Sequence, residues 1–338
     1  MPRAKRLVLV SWLLSVVVFT THAAAETANS ALSARHRLLL VAARDLASSL
    51  SENVWPGWAV DMEVLLVADE WEVLLGGSRL PAGFEDLAPD PNLGVLARRS
   101  RVFPTGLLAT MPLFGPPATI VVGGPEATER GSSAWLQVLL HEHFHQWQMR
   151  DSQYYEATAA LDLADGDTTG RWMLEYPFPY DAPAPGRAFN GLARELAALL
   201  RRPAEDDLAM EAGEFWARFR ALEDTLAPRD ARYLHFQLWQ EGVARFVELR
   251  VAEEAAAHWR PPQAVAALPD FEDFGVLACA AWENLLAELE TLDLAADRRI
   301  SFYALGAGIA LLLDRTEPQW KSRYEAPRFA LAPAAPAD

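Results

Sequence analysis

The 338 residues are 51% hydrophobic, 10% aromatic and 22% charged, a composition that folds around a core rather than staying disordered. With 30 Lys and Arg against 46 Asp and Glu, the formal charge of −16 excludes a nucleic-acid surface, which needs clustered cations to neutralise phosphates. The single cysteine, Cys279, excludes an intramolecular disulfide framework and a multi-cysteine metal site, so any metal must be held by His and carboxylates. Residues 1–25 join a basic start (MPRAKR), an apolar run (LVLVSWLLSVVVF) and the small residues Ala23, Ala24 and Ala25. That pattern predicts a cleaved secretory signal and a periplasmic or secreted protein. Its loss removes Arg3, Lys5 and Arg6 and makes the mature chain more acidic. No later stretch has the length and apolarity of a membrane span, so no stable membrane insertion is expected after cleavage.

Past the signal, apolar residues at helical spacing predict an amphipathic helix over 31–50. The apolar runs in AVDMEVLLVADEWEVLLGG and ATIVVGG predict strands, while the Pro- and Gly-rich pieces at 79–94 and 101–117 read as loops. From Ser132 onward the pattern is helical, around 132–150, 187–202, 205–226, 230–258, 275–290 and 299–314. Strands first and helices later is an α+β arrangement, a small N-terminal β-sheet layer packed on a mainly helical body. One domain is expected over 26–325, with the sheet in 26–130, the helices in 131–325 and a flexible tail over 326–338.

The chemistry is concentrated in SSAWLQVLLHEHFHQWQ, where His141, Glu142 and His145 form H-E-x-x-H. One helical turn puts both imidazoles on one face, within reach of a single tetrahedral Zn2+, with Glu142 beside them as general base toward the water that zinc activates. Zinc in such a site lowers the pKa of water to about 7, and a neighbouring carboxylate then carries the proton to the leaving amine. His143 makes a second pattern, H-x-H-x-H, which on a strand would gather three imidazoles on one face. On a helix it points away from the metal and serves as a hydrogen-bonded histidine. Ser132 or Ser133 as N-cap, followed by a long helical window, favours the helix.

Two histidines leave a catalytic zinc one protein ligand short. The candidate is Glu241 in WQEGVARFVE, on a helix whose Trp239, Val243, Phe246 and Val247 would hold it against the first. Gly242 allows close helix approach. Glu248, two turns on, is near the same face and is placed to orient a ligating imidazole.

HEHFHQW resembles the H-E-x-x-H-x-W of aminopeptidase N-like and related gluzincin metallopeptidases, and WQEGVARFVE is similar to their W-x-x-E-G-x-A-x-x-x-E helix. Tyr303-Ala304-Leu305-Gly306 resembles the segment whose tyrosine stabilises the tetrahedral oxyanion in that group. The resemblance implies a zincin-like fold, with His141, His145 and Glu241 as zinc ligands, Glu142 as general base and Tyr303 as electrophilic helper. It covers three short motifs, and two departures stand out. Residues 146–240 separate ligands that the family pattern places much closer, so a helical insertion is expected there, with Trp172, Tyr176, Phe178 and Tyr180 either roofing the cleft or serving as scaffold. A G-x-M-E-N segment is missing; Glu126 lies in the corresponding region in a different context, and exopeptidase action is not supported. VVGG is a candidate edge strand for a peptide substrate.

The expected function is an exported zinc metallopeptidase acting on a peptide or protein substrate. Two other readings are a catalytically idle zincin-fold binding or assembly protein and a non-peptidase zinc hydrolase. An intact Glu142 favours an enzyme, because a structural zinc has no use for a carboxylate base beside its ligands.

Overall fold

The computed structural model describes residues 32–77 and 80–331, so the expected signal at 1–25 lies outside the described residues, as does 332–338. The first helix, α1 (Ala34–Val54), begins where the Ser33 side chain accepts a hydrogen bond from the His36 amide. A six-stranded sheet follows, formed by β1 (Val64–Val67), β2 (Trp71–Leu75), β3 (Glu85–Asp90), β4 (Gly94–Ser100), β5 (Leu108–Met111) and β6 (Thr119–Gly123). Its order is β3-β4-β2-β1-β6-β5; β1 and β6 are parallel and the other pairs antiparallel.

The sheet extends into both segments expected as loops. β3 lies in 79–94 and β5 in 101–117, and each is an edge strand. Neither has a strand's usual composition: β3 is EDLAPD, largely exposed, with a register shift and a proline that an edge position tolerates. β5 is four half-buried residues between Gly106 and Pro112. The sheet is therefore buried unequally. Val64, Leu66, Val73, Leu75, Ile120 and Val122 turn into the main core, while Leu65, Val67, Leu74 and Val121 meet Phe84 and Ala97 on the other face.

The helical body comprises α2 (Ser132–Gln148), α3 (Ser152–Ala160), α4 (Pro183–Leu200), α5 (Ala209–Glu223), α6 (Pro228–Gln237), α7 (Val243–His258), α8 (Phe274–Thr291) and α9 (Ser301–Thr316). A π-helical turn, Leu238–Gly242, joins α6 to α7. The fold is thus mixed helix and sheet, with an open sheet on a helical body. No described helix is long and apolar enough to cross a membrane.

Two expectations change in detail. α2 is capped by Gly131 and not by a serine; Ser132 and Ser133 instead bond to Asp270 and to the Glu272 carbonyl. Residues 326–331, expected within a frayed tail, pack down. Phe329 is buried against Tyr154 and Trp239, and Arg328 pairs with Asp151 at 3.3 Å. Cys279 is exposed.

Candidate metal centre

α2 is the central helix, buried on almost every side, so its polar residues from Gln137 to Gln148 are buried along with its apolar ones. Its two ends are tied to the sheet. Trp135 Nε1 donates to the Gly123 carbonyl at 2.8 Å, and Gln146 Nε2 donates to those of Ala118 (2.7 Å) and Glu63 (3.1 Å). α2 therefore runs back along β6 with His141 and His145 on the side facing α7.

The two imidazoles meet as the one-turn spacing requires, with their Nε2 atoms 3.1 Å apart. Glu241 Oε2 is 3.4 Å from His145 Nε2, and one ligand atom from each of the three residues lies within 4.8 Å of the others. Ligands held about 2.0–2.1 Å from a tetrahedral zinc stand roughly 3.3 Å apart. His141, His145 and Glu241 thus form a buried group able to hold a metal ion.

Glu241 reaches the histidines from the π turn. A π turn adds one residue to a helical run and recurs at functional sites. Here α7 runs antiparallel to α2, so His145 meets Glu241 while His141 meets Glu248, whose Oε2 is 3.3 Å from His141 Nδ1. That contact is at ion-pair distance but outside hydrogen-bond alignment, leaving His141 Nδ1 without a well-directed partner. The carboxylates of Glu241 and Glu248 are largely buried, at 16% and 14% exposed, so neither is an ordinary solvated helix charge.

The tautomer of His145 is fixed from behind. Gln148 Nε2 donates to the carbonyls of Trp239 (3.2 Å) and Gln240 (3.1 Å), which turns its Oε1 toward His145 Nδ1 at 2.6 Å. Toward Gln148 Oε1, the shorter contact, Nδ1 is the donor, which leaves the Nε2 lone pair for a metal; Gln240 Nε2 lies 3.0 Å from the same Nδ1. Tyr324 completes the arrangement, its hydroxyl 2.6 Å from Gln148 Nε2 and donating to the Trp239 carbonyl at 2.7 Å. The same device recurs at His143, whose Nδ1 lies 3.0 Å from Gln146 Oε1. The strand pattern H-x-H-x-H is absent: His143 sits on the opposite side of α2, against Trp58, and burial pushes its pKa down to about 4, keeping it neutral.

Burial disfavours the charge on His145, but the adjacent Glu241 carboxylate overrides this and holds the imidazole's pKa above neutrality. Burial raises the Glu241 carboxyl, and His145 with Arg299 pulls it well below the usual carboxylate range. Without metal, the pair carries a proton at neutral pH. A metal must displace that proton, so affinity is expected to rise about tenfold per pH unit from pH 6 to 8. Chelator competition at three pH values measures this; a flat profile would mean His145 is already deprotonated in the metal-free protein.

Glu142 points toward the sheet. Thr110 Oγ1, on edge strand β5, lies 2.9 Å from the Glu142 carbonyl and 2.8 Å from its Oε2. VVGG is not the edge strand: β6 is interior, and among the described residues the free edge beside Glu142 belongs to β5. Tyr303, at the start of α9, is brought to Glu241 by a crossing of glycines. Gly306 packs directly on Gly242, and a Cβ at Gly306 would lie 2.6 Å from the Gly242 Cα and 2.8 Å from the Leu238 carbonyl.

Other expected residues lie elsewhere. Glu126 is bound by Arg35 (3.0 Å) and His36 (3.1 Å) of α1. Tyr176, Phe178 and Tyr180 are buried scaffold packed on Tyr233 and Phe302, and Trp172 leans on Phe236. Sequence reasoning missed Thr110, Gln148, Gln240 and Arg299. The two H-x-x-Q spacings, His143 to Gln146 and His145 to Gln148, were the available signal for Gln146 and Gln148, and Gln240 had none. Comparison with protein-family models, curated proteins and solved structures finds no match for this chain.

Proposed function

We propose that this protein is an exported zinc-dependent metallopeptidase of gluzincin type. The observation that carries the reading is one convergence: two helix-borne histidines and Glu241 form a ligand set, and a second carboxylate, Glu142, stands beside them against a sheet edge. His141, His145 and Glu241 are the residues that would hold the metal. When bound, zinc supplies a water acidic near neutral pH and polarises the scissile carbonyl.

The chain's own residues do the rest. Glu142, oriented by the Thr110 hydroxyl, accepts the proton of the attacking water and passes it to the leaving amine. Tyr303 presents its phenol to the developing oxyanion. β5 offers its unpaired edge to an extended peptide, which would add as a further strand.

The test is metal analysis of the purified protein together with digestion of a peptide library before and after chelation. About one zinc per chain, with cleavage that chelation abolishes and zinc restores, supports the reading. Stoichiometric zinc without cleavage of any peptide would overturn the peptidase assignment and favour a binding protein. In Glu241→Gln the zinc should be lost; full retention would place the third ligand elsewhere.

A further inference from the structure

Two arginines, Arg298 and Arg299, stand immediately before the N-terminus of α9. This is the wrong end of a helix for positive charge, because the macrodipole there favours anions. The backbone is also strained: Arg298 has φ 49° and ψ −129°, a conformation that non-glycine residues rarely adopt and that persists where the surroundings enforce it. The Arg298 side chain is held away from the metal group, over the Tyr180 ring and 3.4 Å from Asp181. Arg299 turns the other way. Its side chain is three-quarters buried, with Nη1 2.8 Å from the Tyr303 hydroxyl and 3.5 Å from Glu241 Oε1.

A guanidinium has only donors. When Arg299 Nη1–H donates to the phenol oxygen of Tyr303, the phenolic proton cannot point back at Arg299. It is directed away from Nη1, and its acceptor is the Glu241 carboxylate, which also faces Arg299. We infer that Arg299 is a positioning residue: it holds the Tyr303 hydroxyl as a hydrogen-bond donor aimed at the metal group, where a substrate oxyanion develops. The inference rests on the peptidase reading for the source of that oxyanion, and it adds the group that sets the direction of the Tyr303 proton. Electrostatics agree: burial and then Glu241 hold the Tyr303 phenol protonated, with Arg299 acting in the opposite sense and strengthening it as a donor.

A double-mutant cycle tests this through equilibrium binding. Zinc-loaded wild type, Tyr303→Phe, Arg299→Met and the double variant are titrated calorimetrically with acetohydroxamate, an anionic oxygen donor for zinc. Tyr303→Phe is expected to weaken binding roughly tenfold or more. Arg299→Met should weaken it by a similar factor, and the double variant should be no weaker than Tyr303→Phe alone. Arg299→Lys, which keeps a donor and a charge, should recover part of the loss, and it carries the test if Arg299→Met does not fold. Additive losses in the double variant, or wild-type affinity in both Arg299 variants, would overturn the assignment. If the cycle is non-additive but no peptide is cleaved, the positioning role stands and the peptidase reading falls. Cleavage with an additive cycle gives the reverse result.

Discussion

Glu142→Gln is expected to lower peptide hydrolysis by roughly 10²–10⁴-fold while leaving zinc content and thermal stability near wild type. The reasoning starts from what the carboxylate touches. Glu142 is buried, and its Oε2 lies 2.8 Å from the Thr110 hydroxyl. A glutamine oxygen can accept the same hydrogen bond, so the variant keeps its shape and its anchor to β5. It loses only the ability to take up a proton. Glu142 is also outside the ligand set, so metal binding should survive. The measurement is single-turnover hydrolysis with zinc quantified in the same sample. Wild-type turnover by a fully loaded variant would remove Glu142 as the base and require the proton to go elsewhere.

Gly242→Ala is expected to destabilise the fold by about 1–3 kcal/mol or more and to lower metal affinity at least tenfold. An added Cβ would collide with the Gly306 backbone and lie 3.2 Å from the Phe302 carbonyl, so no side-chain rotation relieves it. The helical run must move away from α9, carrying Glu241 away from Tyr303 and Arg299. Gly213→Ala on α5 is the control, since a Cβ there meets nothing within 4 Å and alanine favours a helix. Thermal melts and chelator competition on both variants give the comparison. If Gly242→Ala behaves like Gly213→Ala, the close crossing does not constrain the site.

The parts of the site that were legible in the sequence are those set by local period. His141 and His145 share a face because helices repeat every 3.6 residues, and Gly242 beside Glu241 signalled a close approach that Gly306 answers. The helices were legible for the same reason, although α3 was missed and the π turn within 230–258 gives no compositional sign. What was not legible depends on pairing between distant segments. β3 and β5 become strands because β4 and β6 offer them partners, despite the acidic residues and proline of one and the shortness of the other. Thr110 gains its role only through that pairing. Nothing in the sequence around Arg299 marks it out, and only the turn before α9 directs it at Tyr303.

The anchoring of Gln148 carries a consequence for the order in which the centre is completed. The hydrogen bond that fixes the His145 tautomer depends on Gln148, and Gln148 is in turn held by Tyr324, near the last described residue. Tyr324 also stacks on Trp239 at 4.4 Å, within the π turn that carries Glu241. A chain made from its N-terminus gains both histidines first, Glu241 later and Tyr324 only after that. A nascent chain that has passed Glu241 and not reached Tyr324 has the ligands but not the lock.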